Sequence, residues 1–364
     1  MRLLWVVTLS LSGFAAAGAM QPEQDSLSLE RIAAEAEGNV GVCAQLLETG
    51  ESITLNAALH FPMQSVYKAP IAMAVLHMVD EGKLRLGQQC EVKKSDMITE
   101  QQHSPIRDAH PGGTTMTVRE LLRYAVSESD GTASDVLLRL AGGPMAVTAF
   151  LNSIRVTEMV VAATEMEMGR DDSAQYRSWA TPRGAVEFLH ALHDGRSISA
   201  ESRNVLLGFM TGTETGQYRI KGLMPKGTLV AHKTGSSGTV DGVAAATNDI
   251  GIVTLPDGRH IALAVFVSDS RATYDKRENV IARIARTVWD KWTLTTAKMN
   301  IETLGSSSAI EALVEGGPCL RAPKSGQPGF WRTMTELADY FSESRLAFIR
   351  AATCFGSALV TRCS

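Results

Sequence analysis

Three short clusters in this chain set hydroxyls, amines and small residues at spacings that covalent acyl transfer would use. The first is Ser65-Val66-Tyr67-Lys68, heading an apolar helical pattern. A spacing of three puts the hydroxyl and the amine on one helical face. Serine is a poor nucleophile until a base removes its proton, and an amine of depressed pKa can act as that base. A helix start also aims the Ser65 backbone N–H at developing negative charge. The second cluster, Ser129-Asp130-Gly131, stands just before another helical pattern. There Ser129 can pass a proton to a leaving nitrogen, while Asp130 caps the helix and fixes the loop. The third, Lys233-Thr234-Gly235, ends a strand pattern and runs on into Ser236-Ser237-Gly238. Lysine and hydroxyls beside a glycine suit a carboxylate and let a substrate lie against the backbone. Arg219, a little upstream, is a second cation for the same carboxylate. Each cluster has a plain alternative alone: a capping serine with a surface lysine, two ordinary helix caps, or a charged strand end in solvent. Found together, in matching local contexts, they favour chemistry.

The elements that must position these groups can be read from periodicity. Leu29, Ile32 and Ala33 fall at helical spacing before Gly38-Asn39, and strands follow at Val40-Gly41-Val42 and Ser52–Leu55. From Ser65 to Leu206 the pattern is mainly helical. One stripe holds Ile71, Val75, Met78 and Val79 and stops at Gly82; another holds Ala133, Val136, Leu137 and Leu140; a third spans Gly184–Leu192 behind Pro182. Strand signals return at 228–232, 249–254 and 260–267, the last two flanking the hairpin signal Pro256-Asp257-Gly258. A closing helix, Glu278–Trp292, turns Val280, Ile281, Ile284, Val288 and Trp292 inward. Strands at both ends of a helical insert predict an α+β fold whose antiparallel sheet is assembled from distant segments.

The trio is a known signature of class A β-lactamases and penicillin-binding proteins. The sequence resembles a class A β-lactamase, most of all the extended-spectrum subgroup that includes PER- and VEB-type enzymes. The resemblance runs from about Leu29 to Trp292 and is clearest at 62–86, 125–143, 231–238 and 244–270. It implies a β-lactamase/transpeptidase-like fold, with an antiparallel five-stranded sheet flanked by helices and an all-helical lobe. Residues 25–60 and 208–294 would form the α/β lobe, and 61–207 the helical one. It further implies Ser65 as nucleophile, Lys68 as its activating neighbour and Ser129 as proton shuttle. Lys233, Thr234 and Ser236 would hold the substrate carboxylate, with the backbone N–H groups of Ser65 and Ser236 as oxyanion hole. Glu165, in Thr164-Glu165-Met166-Glu167-Met168, matches the carboxylate that drives water onto the acyl-enzyme; Glu167 is the competing assignment.

Some residues depart from the family pattern. Gly131 stands where the family usually has an asparagine for the substrate's acylamide carbonyl, a hydrogen bond worth about 0.5–1.5 kcal/mol. Gly169 falls where an asparagine or histidine often holds the deacylating water. Ala163 replaces an arginine that closes the loop neck, and His103 replaces an aromatic residue lining the cleft. The implied function is hydrolysis of penicillins and cephalosporins through a serine acyl-enzyme, conferring antibiotic resistance. The alternatives are a D-Ala-D-Ala peptidase and a covalent β-lactam-binding protein with slow deacylation.

Composition bounds the remainder. With 364 residues, 45% hydrophobic, the chain can bury a sizeable core. A formal net charge of −4 gives no electrostatic case for a nucleic-acid partner. Arg2, the apolar run Leu3–Leu11 and Ala17-Gly18-Ala19 read as a signal peptide over 1–19. A periplasmic, monomeric protein without a membrane span after cleavage is the expectation. Five cysteines match no zinc or C-x-x-C spacing, and Cys43 and Cys90 are read as structural and unpaired. His190-Ala191-Leu192-His193 puts two histidines on one helical face without a third ligand, so no metal and no cofactor is assigned. Residues 295–364, carrying Cys319, Cys354 and Cys363, form an extension to which no structure is assigned.

Overall fold

The computed structural model describes residues 21–306, with side chains over 27–293. The predicted signal peptide and the part of the predicted extension beyond 306, with its three cysteines, lie outside the described residues. The elements below belong to the unit Met1–Lys298, apart from the end of the last helix.

Five strands make the sheet: β1 (Asn39–Leu46), β2 (Ser52–Leu55), β3 (Val230–Ser236), β4 (Thr247–Thr254) and β5 (His260–Ser268). They pair antiparallel in the order β2-β1-β5-β4-β3. The expected strand over 228–232 lies two residues further on and extends through the Lys-Thr-Gly cluster, because pairing with β4 carries it to Ser236.

Alternation along the strands sends side chains to two apolar layers. Leu263, Val265 and Val267 pack with Val40 and Val42 against α1 (Gln21–Ala34) and the closing helix, through Leu29, Ile32, Ile281, Ile284 and Trp292. Ala262, Ala264 and Phe266 face the other way, into the core shared with α2 (Lys68–Asp80). The closing helix runs Tyr274–Ser306, past the predicted end at Trp292.

Every residue of α2 from Lys68 to Leu76 is buried, a wider apolar surface than the predicted stripe. A helix apolar all round belongs inside the fold, and this one is the axis of the helical lobe. Helix α3 spans Gly131–Leu140. Helix α4 (Pro182–Asp194) starts where the Thr181 hydroxyl accepts the Gly184 N–H and ends at Gly195, with φ 69°. Helix α5 (Ala200–Thr211) crosses the expected lobe boundary at 207. The lobe is mainly rather than wholly helical. Phe61–Pro62, Trp179–Ala180 and Met159–Val160 form a small sheet, and Gln89–Lys93 pairs with Gly113–Thr117. The two-residue strands leave no periodic trace in a sequence, which is why that small sheet was not anticipated. Cys43 and Cys90 are buried and free, as expected.

Gly41 joins the two lobes. A Cβ there would lie 2.4 Å from Phe61 Cε2 and 2.7 Å from Pro182 Cγ, at the entrance to the segment bearing Ser65. Gly41→Ala is therefore overpacked and should lose about 1–3 kcal/mol of stability, read as a lower urea midpoint at unchanged m-value. An unchanged midpoint would contradict this packing.

Candidate active site

A cleft of about 960 Å³ opens between the lobes, lined among others by Ser65, Lys68, His103, Ser129, Glu165 and Thr234. Ser65 sits in a 3-10 turn, Gln64–Tyr67, that runs directly into α2. Gln64, before it, takes φ 48°, a left-handed conformation costly for a side-chain-bearing residue. The Gln64 amide donates to Gln175 Oε1 at 2.5 Å. Asn248 on β4 donates to the carbonyls of Pro62 (2.8 Å) and Met63 (3.2 Å), tying the turn to the sheet.

Lys68 is 2% exposed. It donates to the Ser129 carbonyl at 2.7 Å and forms an ion pair with Glu165 Oε1 at 2.9 Å. Ser129 also has a left-handed backbone, φ 60°, held by the residue that follows it. Asp130 caps α3 by accepting the Ala133 N–H at 2.7 Å; its other oxygen accepts the Ile106 N–H at 2.7 Å and the Ser104 hydroxyl at 3.0 Å. Lys233 reaches Ser129 from the opposite side, donating to Oγ at 2.9 Å. Burial and the positive Lys68 push its ammonium well below the ordinary lysine value. Lys233 thus acts from behind the cleft wall, through Ser129.

Gly235 explains its own residue type. A Cβ would fall 2.3 Å from the Met63 carbonyl oxygen, so only glycine lets β3 approach the serine turn this closely. Thr234 Oγ1 lies 2.6 Å from Thr215 Oγ1, and Ser236 is exposed to the cleft. Arg219 corrects an expectation. Its guanidinium is 1% exposed and binds Glu278 at 3.0 Å, the carbonyls of Gly235 and Asn248, the Tyr274 hydroxyl and Ser236 Oγ at 2.6 Å. Glu278 balances the charge and no donor is left over, so Arg219 is a support under β3 rather than a free second cation.

Glu165 heads a short helix, Glu165–Met168, and is 8% exposed, turned into the cleft. Its Oε1 is buried against the Lys68 ammonium, 2.9 Å away. The competing Glu167 points elsewhere. It accepts the Thr164 N–H at 2.9 Å in a capping box and lies 3.5 Å from Arg177. The loop neck closes without the arginine absent at Ala163, because Ser178 Oγ accepts the N–H groups of both Ala162 and Ala163 at 3.1 Å.

A model of the β-lactamase enzyme family matches residues 26–292. VEB-1 from Pseudomonas aeruginosa is 39% identical over 74% of this chain and 91% of its own length. The extended-spectrum β-lactamase PER-1, also from Pseudomonas aeruginosa, is 41% identical over 72% and 85%. A β-lactamase crystal structure from Chitinophaga pinensis superposes with TM-score 0.72 at 45% identity, covering 74% of this chain and 99% of the other. The TLA-3 extended-spectrum β-lactamase gives 0.73 at 39%, over 75% and 99%. The chain belongs to the class A β-lactamase family.

For a class A β-lactamase the two glycine departures have structural answers. A Cβ on Gly169 would lie 2.2 Å from Gln102 Oε1, so the Gln102 side chain occupies the space a residue at 169 would use. Gln102 Nε2 donates to the Glu165 carbonyl at 2.6 Å and lies 3.3 Å from Glu165 Oε2, while the Thr99 N–H and hydroxyl steady its Oε1. A Cβ on Gly131 would meet Ile98 Cδ1 at 2.3 Å and Glu165 Cγ at 3.3 Å, so an apolar chain end fills the place of the missing amide. His103 lines the cleft, with its ring on the Glu128 carbonyl at 2.8 Å, and its own carbonyl accepts the Gly131 N–H.

Sequence reasoning missed Gln102 and Asp135. The Asp135 oxygens accept the N–H of Glu165 at 2.8 Å and of Met166 at 2.9 Å. An acidic residue on the buried side of a predicted helix was the available signal. Burial, then the Glu165 charge, raises its carboxyl from 3.8 to about 7. The folded state therefore keeps a proton that the unfolded chain loses. The resulting stabilisation is complete below pH 3.8 and disappears as pH rises through about 7. Asp135→Asn should flatten the fall of Tm between pH 5 and 8; parallel Tm profiles for the two proteins would refute this.

Proposed function

We propose that Ser65 opens the β-lactam ring and that Glu165, ion-paired with Lys68 inside the same cleft, completes hydrolysis. The substrate carboxylate rests on the Thr234 and Ser236 hydroxyls. Arg219 donates to Ser236 Oγ, which leaves the Ser236 proton free for that carboxylate. Ser65 Oγ attacks the ring carbonyl, and its proton passes to the coupled Lys68–Glu165 pair. The backbone N–H groups of Ser65 and Ser236 stabilise the oxyanion. Ser129 receives a hydrogen bond from Lys233, so its own O–H donates to the departing ring nitrogen, and the proton taken from Ser65 passes from the Lys68–Glu165 pair to Ser129 Oγ. Glu165, ionised again, takes a proton from water as that water attacks the ester, and the pair returns it to Ser65 Oγ as the ester bond breaks.

The observation that carries this reading is the buried carboxylate on the acyl site. A peptidase or a slowly deacylating binder needs no such group, and neither alternative is favoured. The protein is a hydrolase acting on the β-lactam amide bond, with extended-spectrum relatives. Ser65→Ala should abolish nitrocefin hydrolysis, and Glu165→Ala should still acylate but persist as an adduct in intact-mass spectra. Gln102→Ala should slow deacylation about tenfold, the loss of one hydrogen bond to a charged group. Adduct turnover at the native rate in Glu165→Ala would reject the assignment.

The signal-peptide pattern supports a periplasmic enzyme. No single described helix is long and apolar enough to cross a membrane. Osmotic shock of expressing cells should release the activity; retention in spheroplasts would reject the location.

A further inference from the structure

The sequence offers His190 and His193 as a helical pair without a third ligand, but the fold gives His193 different company. The β1–β2 turn brings Glu48, the start of β5 brings His260, and the last turn of α4 brings His193. One ligand atom from each lies within 4.8 Å of the others. The two imidazole centroids are 4.8 Å apart, with planes tilted by 51°. His190 pairs with Asp194 at 3.4 Å and is not one of the three.

We propose that Glu48, His193 and His260 form a binding site for a divalent transition-metal ion of the Zn2+ class. Two imidazoles and a carboxylate are a ligand set that Zn2+ accepts, with water in the fourth position. The carboxylate is already fixed in place, because the His260 backbone N–H lies 3.0 and 2.9 Å from its two oxygens. The His260 ring Nδ1 is 2.8 Å from Glu48 Oε1. A metal ion would enter between these two atoms, with the imidazole proton on Nε2. His193 Nδ1 lies 3.7 Å from the Asp194 carboxylate. Tetrahedral bonds of about 2.0–2.1 Å place ligand atoms about 3.3 Å apart. The side chains must close by about 1.5 Å or less, a small movement for groups about one-third exposed.

The three ligands come from segments far apart in sequence, so the ion acts as a clip. It fastens the β1–β2 turn and the end of α4 to the start of β5. His260 opens the strand whose far end, Val267, stands beside Thr247, and Thr247 in turn pairs with Ser236. Seven residues of strand put the cluster about 23 Å from that cleft end. The role is therefore stability, separate from the acyl chemistry.

The test uses the full-length protein without an affinity tag. Titration with ZnCl2 should show saturable one-to-one binding and a raised Tm, and Co2+ should develop visible d–d absorption. His260→Ala and His193→Ala should each weaken Zn2+ binding at least tenfold, and His190→Ala should leave it unchanged. Metal-free Tm and circular dichroism show whether each variant is folded, and Glu48→Gln tests the carboxylate without altering a ring. The proposal is overturned if the native protein binds Zn2+ no better than the His193→Ala/His260→Ala double variant. It is equally overturned if His190→Ala abolishes binding while His260→Ala keeps it.

Discussion

A buried ammonium holds this molecule's working parts together. Lys68, almost without solvent contact, is satisfied by the Ser129 carbonyl and the Glu165 carboxylate. Removing one partner from such a pair typically costs about 3–5 kcal/mol, because it strands a charge in a low-dielectric interior. One partner lies in a loop and the other at the head of a single helical turn, so the lysine at the head of α2 sets where both must be. The serine turn, the proton-donating loop and the deacylating loop are thereby brought to one cleft.

Charge balance gives each group a different part. Lys68 has a carboxylate beside it, and Arg219 has Glu278. Lys233, equally buried, meets a hydroxyl and a carbonyl. Lys233 stands behind the cleft wall, next to Ser129 and beneath the strand end where a carboxylate would settle. Arg219 looked in the sequence like a second substrate cation; packing turned it into the brace that orients Ser236.

The glycine departures show how a fold can relocate a function. In the sequence, Gly169 reads as the loss of a polar side chain above Glu165. Gln102, on a different loop, reaches into the same space. Asp135, buried behind the loop, holds two of its backbone N–H groups. The sequence names no partner for either contact, because the partners are 63 and 30 or 31 residues away.

Local spacing was enough to determine the Ser65, Ser129 and 233–235 clusters, the main helices, and the strands of a sheet built from both ends of the chain. Helical faces, caps and strand alternation repeat every two to four residues, so periodicity and cap chemistry carry them. Tertiary structure decided which groups balance which charges. It chose Glu165 over Glu167, enlisted Gln102 and Asp135, retired Arg219 to a supporting place, and gave His193 the company of His260 and Glu48. Those choices depend on burial and on distances between remote segments, and a polar group removed from water takes whichever partner the packing brings within reach.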